Sequence, residues 1–205
     1  QWLKLNKIGK AVGGEELHSV LTQQLMDLGV KIWMERMALV QEISPLIVRY
    51  YEMLAGIGDE VAVSYKSAVF DFLREKELSE EILRDAFAHK LEVLDFSERM
   101  QGLTLSGPHK DDLLLSLHGH EMRSSGSQGQ CRSAAIALRL SASDLASRHL
   151  IKPVLLLDDI FAELDKNRRA AVAGVIREIN CQVFVATPRI EDLPVSADEK
   201  IEMGD

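Results

Sequence analysis

From Glu15 to about Ala55 the apolar residues Leu17, Leu21, Leu28, Ile32, Leu39, Ile43, Ile47, Tyr50 and Leu54 recur at steps of three, four and seven. That spacing places them on one stripe of a helix. About forty residues rising ~1.5 Å each make a rod of roughly 60 Å, the length of an arm rather than of an ordinary globular helix. Pro45 is expected to kink or interrupt it just past Ile43, because proline brings no N–H to the helical ladder. "GIGDE" at Gly56 to Glu60 ends the helix, and "VAVSY" at Val61 to Tyr65 alternates like a short strand. A second helix is predicted from about Ser79 to Arg99, with Ile82, Leu83, Ala86, Phe87, Leu91 and Leu94 on one side. Two helices joined in this way can pack as an antiparallel pair.

After Gln101 the periodicity changes. "LTLSGPHKDDLLLSLHGHEMRS" holds two short strand-like runs, a turn at Gly107-Pro108 and a tight hairpin at His118-Gly119-His120. A polar stretch then leads into an apolar, helix-favouring run ending near Leu140. Val154 to Leu157 is an unbroken apolar strand, the pattern of a parallel strand buried on both faces. A helix from about Lys166 to Ile179 and a strand at Gln182 to Ala186 complete a strand, helix, strand unit. The pattern predicts an α/β protein in two parts, a mainly helical lobe over 1–100 and a sheet with flanking helices over 101–205.

Composition narrows the class. The 205 residues are 46% hydrophobic, enough for a sizeable core and a second, smaller lobe. Neither an apolar run of membrane-spanning length nor a secretory leader is present, so a cytoplasmic protein is expected. Cys131 and Cys181 have no metal-ligand spacing and fit reduced thiols. The net charge of −8 is the wrong sign for a general grip on nucleic acid, so any contact with DNA needs a local basic surface. The sequence opens on Gln1 rather than Met, which fits a piece of a longer chain.

Chemistry concentrates in two stretches. "SSGSQGQCRSAAIALRL", Ser124 to Leu140, crowds serines, glycines and glutamines at the mouth of a helix, more than capping requires. A helix N-terminus offers unpaired N–H donors and about half a positive charge, and glycines let an anion approach the backbone, so the expected guest is a phosphate. Asp158 and Asp159 stand at the carboxyl end of the buried strand, where open α/β sheets place their ligands. One aspartate there can cap or face solvent; together, one can hold Mg²⁺ and the other orient or deprotonate a water. His118 and His120 lack a third metal ligand, Arg168 and Arg169 read as a solvated face or a pairing surface, and Arg74 to Glu81 reads as a charged linker. His109 fits a turn, a DNA contact or a nucleotide contact equally well.

"GSQGQ" at Gly126 to Gln130 resembles the signature loop of ABC-type ATPases, "LLLDDIFAELD" their Walker B strand and D-loop, and "VFVAT" their switch strand. Together with "LSGPHKDDL" at Leu105 to Leu113, the set is similar to the RecF family of bacterial DNA replication and repair ATPases, from about Leu103 to Thr187. The helical stretch before it agrees with that family's arm lobe in position and character. The resemblance implies the C-terminal part of an ABC-type head. It makes Ser127, Gln128, Gly129 and Gln130 the loop that touches the γ-phosphate of an ATP held by a partner subunit, Asp158 the Mg²⁺ ligand, Asp159 the catalytic carboxylate, Asp165 a bridge in the dimer and Thr187 the switch position.

Several features depart from the wider pattern. Gly126 and Gln128 stand where Leu and Gly are commoner, Asp159 where Glu is commoner, and Thr187 near the place of a histidine. A carboxylate one methylene shorter reaches less far toward water, which implies slow turnover. No G-x-x-x-x-G-K-[ST] occurs, and "NKIGKAV" at Asn6 to Val12 lacks the flanking glycine and hydroxyl residue. These residues alone are therefore expected to be inactive, and the complete protein a weak DNA-stimulated ATPase. The resemblance implies ATP-dependent dimerisation, binding at single-strand gaps and junctions with duplex DNA, partnership with RecR and RecO in loading RecA, and a part in the SOS response. A transporter cassette is disfavoured by the long helical lobe ahead of the signature loop; a non-catalytic interaction module is the remaining alternative.

Overall fold

A computed structural model describes residues 14–56, 58–70, 79–149, 152–161, 164–179, 181–189, 193 and 198–201. The Gly9-Lys10 pair, most of the run Arg74 to Glu81, and Ala162-Glu163 lie outside them. Two compact units form, one from Gln1–Gln41 with Ser64–Leu114, the other from Glu42–Val63 with Leu115–Asp205. Both take residues from the first long helix.

That helix, α1, runs Gly14–Ala55 without the expected break at Pro45. Burial explains the continuity: Ile43, Leu46, Ile47, Tyr50, Tyr51 and Leu54 around and beyond the proline are all core residues of the second unit. Their combined transfer energy outweighs the ~3 kcal/mol that an interior proline costs. The stripe read from the sequence also divides. Leu17, Leu28, Ile32 and Leu39 are exposed, and among the described residues Val30 and Trp33 are the buried hydrophobic side chains in the first unit's portion of α1.

In the first unit α2, Glu80–Gln101, opens on the N-cap Ser79, whose hydroxyl accepts from the Ile82 N–H at 3.2 Å, and closes on Gly102 in the left-handed region. It runs antiparallel to α1: Arg84 pairs with Asp27, Phe87 packs at Gly29 and Trp33, and Arg99 lies beside Glu15 and His18. Val30, Trp33, Val69, Leu83, Phe87 and Leu91 form the core, with Trp33 and Phe87 edge to face at 4.7 Å. Leu103 to Leu105 form no strand, contrary to the alternation read there. The Leu105 N–H is instead taken by the Glu98 carboxylate at 2.7 Å, and burial raises the pKa of that carboxyl above its ordinary value.

The Gly107-Pro108 turn is a short 3-10 segment, Pro108–Lys110. Asp111 accepts hydrogen bonds from the Trp33 indole and the Tyr65 hydroxyl, while Arg36 donates to the Tyr65 oxygen and the Pro108 carbonyl. His109 packs over Gly107 and lies 3.3 Å from the Thr104 carbonyl. Of the readings open for His109, the structure supports the turn.

β1 (Val61–Lys66), β2 (Asp112–Leu117) and β3 (His120–Glu121) form one sheet in that order. β2 and β3 are antiparallel with Leu117 opposite His120, so His118 and Gly119 are the two loop residues, at φ 49° and 78°. The tight hairpin expected there is found, and positive φ at both loop residues fits a type I′ turn. In the second unit follow α3 (Met122–Ser125), α4 (Gln128–Arg148), β4 (Val154–Asp158), α5 (Lys166–Glu178) and β5 (Gln182–Ala186). β4 and β5 are parallel from Val154 opposite Gln182 to Asp158 opposite Ala186, the predicted strand, helix, strand unit. Burial of β4 on both faces is not found. Leu155 and Leu157 are buried, but Val154 and Leu156 are 55% and 66% exposed and Phe184 beside them on β5 is 45% exposed, because the described residues cover one face only.

Candidate functional site

The mouth of α4 is built by its own sequence. Ser127 is the N-cap: its Oγ accepts from the Gln130 N–H at 3.3 Å while Gln130 Oε1 accepts from the Ser127 N–H at 2.9 Å, a complete capping box. Those bonds satisfy the N–H groups of the cap and of Gln130, and leave the first-turn donors of Gln128 and Gly129 pointing along the helix axis. Accepting also leaves the Ser127 O–H as a donor. Ser127 and Gln128 are exposed, so the expected phosphate-facing groups lie at the surface.

The glycines serve packing, which the sequence reading missed. A Cβ on Gly126 would stand 2.6 Å from the Met122 carbonyl oxygen and 3.1 Å from Cys131 Sγ. Only glycine lets the turn between α3 and α4 close so tightly. A Cβ on Gly129 would stand 2.7 Å from a guanidinium nitrogen of Arg168, which lies against the first turn of α4.

Arg168 in turn sits 3.4 Å from Asp165. Asp165 is the N-cap of α5, accepting from the N–H groups of Asn167 and Arg168, each at 3.0 Å. The Arg168 N–H, more than the neighbouring charge, holds the Asp165 carboxyl below its usual pKa. Signature-like loop and D-loop-like turn therefore meet through Arg168, a residue read from sequence as a solvated face or a pairing surface. In the same unit the Tyr51 hydroxyl donates to Asp59 at 3.1 Å, and burial with that bond pushes the phenol up to about 12.

Asp158 and Asp159 line a second locus, a cleft of about 170 Å³ whose other wall carries Arg132, Ala135, Ile136 and Arg139 of α4. The two arginines are seven residues apart, hence on one helix face, and that spacing was the available but unused signal. Two carboxylates with oxygen donors fit a hard divalent cation such as Mg²⁺, and the facing guanidinium groups fit an anion accompanying it. Asp159 has φ 46°, and its N–H donates to the Ala186 carbonyl at 2.9 Å. Thr187 follows Ala186; its hydroxyl donates to the Arg189 carbonyl at 3.0 Å and accepts from the Arg189 N–H at 3.3 Å. The structure thus groups Ser127 to Gln130 with Asp165, and Asp158 with Asp159 and the strand end bearing Thr187.

No protein-family model matches the chain. It is 36% identical over 183 residues to the DNA replication and repair protein RecF of Geobacter metallireducens, covering 88% of this chain and 49% of that protein. The RecF of Halothermothrix orenii is also 36% identical, over 170 residues covering 82% of this chain and 44% of the relative. The chain is RecF-like over most of its length. It spans about half the length of the curated RecF proteins it matches. A solved structure of the recombination mediator protein RecF-ATPrS in the RecFOR pathway aligns with a TM-score of 0.76 at 24% identity, over 95% of this chain and 51% of that one. A RecF-ATP structure from the same pathway aligns at 0.73 and 25% identity, over 95% and 50%. The fold is that of RecF over this region, as the α/β expectation required. Among the described residues no helix is long and apolar enough to cross a membrane.

Proposed function

We propose that this chain is part of a RecF-type DNA replication and repair protein, a cytoplasmic ATPase of the ABC class that dimerises on ATP. The observation that carries the proposal is the mouth of α4. A capping box there leaves two N–H donors and the Ser127 O–H at the surface, in the same unit as a cleft with paired aspartates. Each is half of what a shared nucleotide site requires.

In this reading the mouth of α4 holds the terminal phosphate of a nucleotide bound chiefly by a second copy. Asp158 holds Mg²⁺, which screens the phosphate charge when bound. Asp159 orients and deprotonates the attacking water. Asp165 and Thr187 belong to the dimer-facing turn and to the switch position next to it. Residues 1–100 form the helical lobe and 101–205 the C-terminal part of the head; the phosphate-cradling loop comes from the remainder of a RecF-length protein. Closing of the dimer controls binding to single-strand gaps and their duplex junctions, and RecR and RecO join it in loading RecA and in the SOS response. The reading draws support from relatives named for DNA replication and repair and from solved RecF structures named with ATP and ATPrS.

The test is Ser127→Arg in the full-length protein, followed by sedimentation with and without ATP. The guanidinium would fill the mouth of α4, so ATP-induced dimerisation is lost while ATP binding to the monomer persists. Dimerisation at the parental ATP concentration would refute the shared site.

A further inference from the structure

Among the described residues, Asp159 and His118 alone combine a positive φ with a side chain. His118 lies in a type I′ hairpin, which requires that conformation. No hairpin accounts for Asp159. At φ 46° it stands where β4 ends, and its N–H continues the parallel ladder one bond past the pair of Asp158 and Ala186, to the Ala186 carbonyl at 2.9 Å. The neighbouring strand therefore holds the peptide plane that enters residue 159, and the left-handed turn begins immediately after it.

Left-handed backbone discriminates among side chains. Glycine adopts it freely, and aspartate and asparagine tolerate it because a short polar side chain bonds to local backbone groups; longer or branched side chains do so poorly. Glutamate keeps the charge and loses the tolerance. We infer that the left-handed backbone at residue 159 determines which acid can stand there, selecting the short carboxylate of Asp over that of Glu. Reach toward the opposite wall of the cleft, Arg132 and Arg139, is then set by the backbone at 159 as well as by the length of the side chain. The inference rests on the reading of Asp159 as the hydrolytic carboxylate, and it makes the shorter acid a consequence of the backbone.

Two readouts in the full-length protein separate this inference from that reading. The first is thermal unfolding without nucleotide of Asp159→Gly, Asp159→Asn, Asp159→Ala and Asp159→Glu. Gly is expected to melt at or above the parent and Asn within about 1 °C of it, with Ala and Glu lower by about 2–4 °C. Ala and Glu melting with the parent, and Gly below it, would overturn the left-handed assignment whatever the ATPase does. The second is Mg²⁺-dependent ATP hydrolysis, where Asp159→Glu is expected to be slower than the parent by about tenfold or more at unchanged KM. Hydrolysis by Asp159→Glu as fast as the parent's, or faster, would overturn the selection of the shorter acid. A parent without hydrolysis would remove the catalytic reading, and with it the link to reach, while the melting order still decides the backbone. Should Asp159→Glu not fold, the order of the Gly, Asn and Ala variants gives the same decision.

Discussion

The dipeptide Asp-Asp occurs twice in this chain, at Asp111-Asp112 in one unit and at Asp158-Asp159 in the other, and the two pairs meet opposite fates. Asp111 is consumed by the fold. The Trp33 indole and the Tyr65 hydroxyl both donate to it, and Arg36 closes the same network through Tyr65 and Pro108. Asp158 and Asp159 leave a strand end and line an open cleft, with guanidinium groups across it. What separates them is the supply of donors within reach. Where aromatic N–H and O–H groups converge, a carboxylate becomes a structural acceptor; where the chain runs out of neighbours, it stays available for a ligand.

The largest effect predicted from this contrast is that of Asp111→Ala. It strips the acceptor from the fully buried Trp33 and from the half-buried Tyr65. A loss of about 2–4 kcal/mol is expected in urea unfolding. A loss below ~0.5 kcal/mol would erase the distinction between the two pairs.

Gly126→Ala comes next. Its Cβ meets backbone, the Met122 carbonyl at 2.6 Å, so α3 or α4 must shift, at a cost of about 1–3 kcal/mol. Gly129→Ala is the control: its clash is with the end of the Arg168 side chain, which swings aside, so a change within about 0.5 kcal/mol is expected. Equal costs for the two glycines would mean that the mouth of α4 is not built as described.

The extents of α2 and of the β4, α5, β5 unit and the start of α4 were legible in the sequence because local periodicity and caps determine them: Ser79 before α2, Asp165 before α5, Ser127 with Gln130 before α4. The burial of particular faces was not. Leu17, Leu28 and Leu39 keep helical spacing and yet face solvent, while Trp33 takes the core because Phe87 and Asp111, distant in sequence, come to meet it. The Pro108 turn was legible as a turn, but the role of His109 was not, since it depends on the Thr104 carbonyl and the room above Gly107. In the candidate site the loop and the aspartates could be read as motifs. Arg168 lying over Gly129 arises from a contact with α4 that no local pattern encodes, and the left-handed backbone at Asp159 carries no mark in the Asp-Asp pair itself.

A smaller effect, confined to alkaline solution, follows from the tyrosines. Burial first, then hydrogen bonds to Asp144 and Asp59, push the Tyr50 and Tyr51 phenols up to about 12, and burial with the bond to Asp111 does the same for Tyr65 against the opposing influence of Arg36. The fold holds these protons more tightly than the unfolded chain, where tyrosine titrates near ~10. Their stabilisation is therefore complete below about pH 10 and is lost as pH rises toward about 12. Melting temperature is expected to fall across that window. Tyr51→Phe and Asp111→Ala should each flatten the fall, since each removes one phenol from the set or its partner.

The smallest effect is expected at Asp158, and its smallness is the point. Asp158→Asn is nearly isosteric, and its side chain lies at the exposed end of β4 among groups that line a cleft instead of closing a network. Removing a charge there leaves no buried donor without an acceptor, so stability without nucleotide should stay within about 0.5 kcal/mol of the parent. The same substitution at Asp111, whose Oδ2 takes both the Trp33 and the Tyr65 donor, replaces a charged acceptor by a weaker, neutral amide oxygen, and costs more. If Asp158→Asn were the more damaging of the two, the carboxylates of the cleft would be structural after all, and their availability to a cation would lose its physical basis.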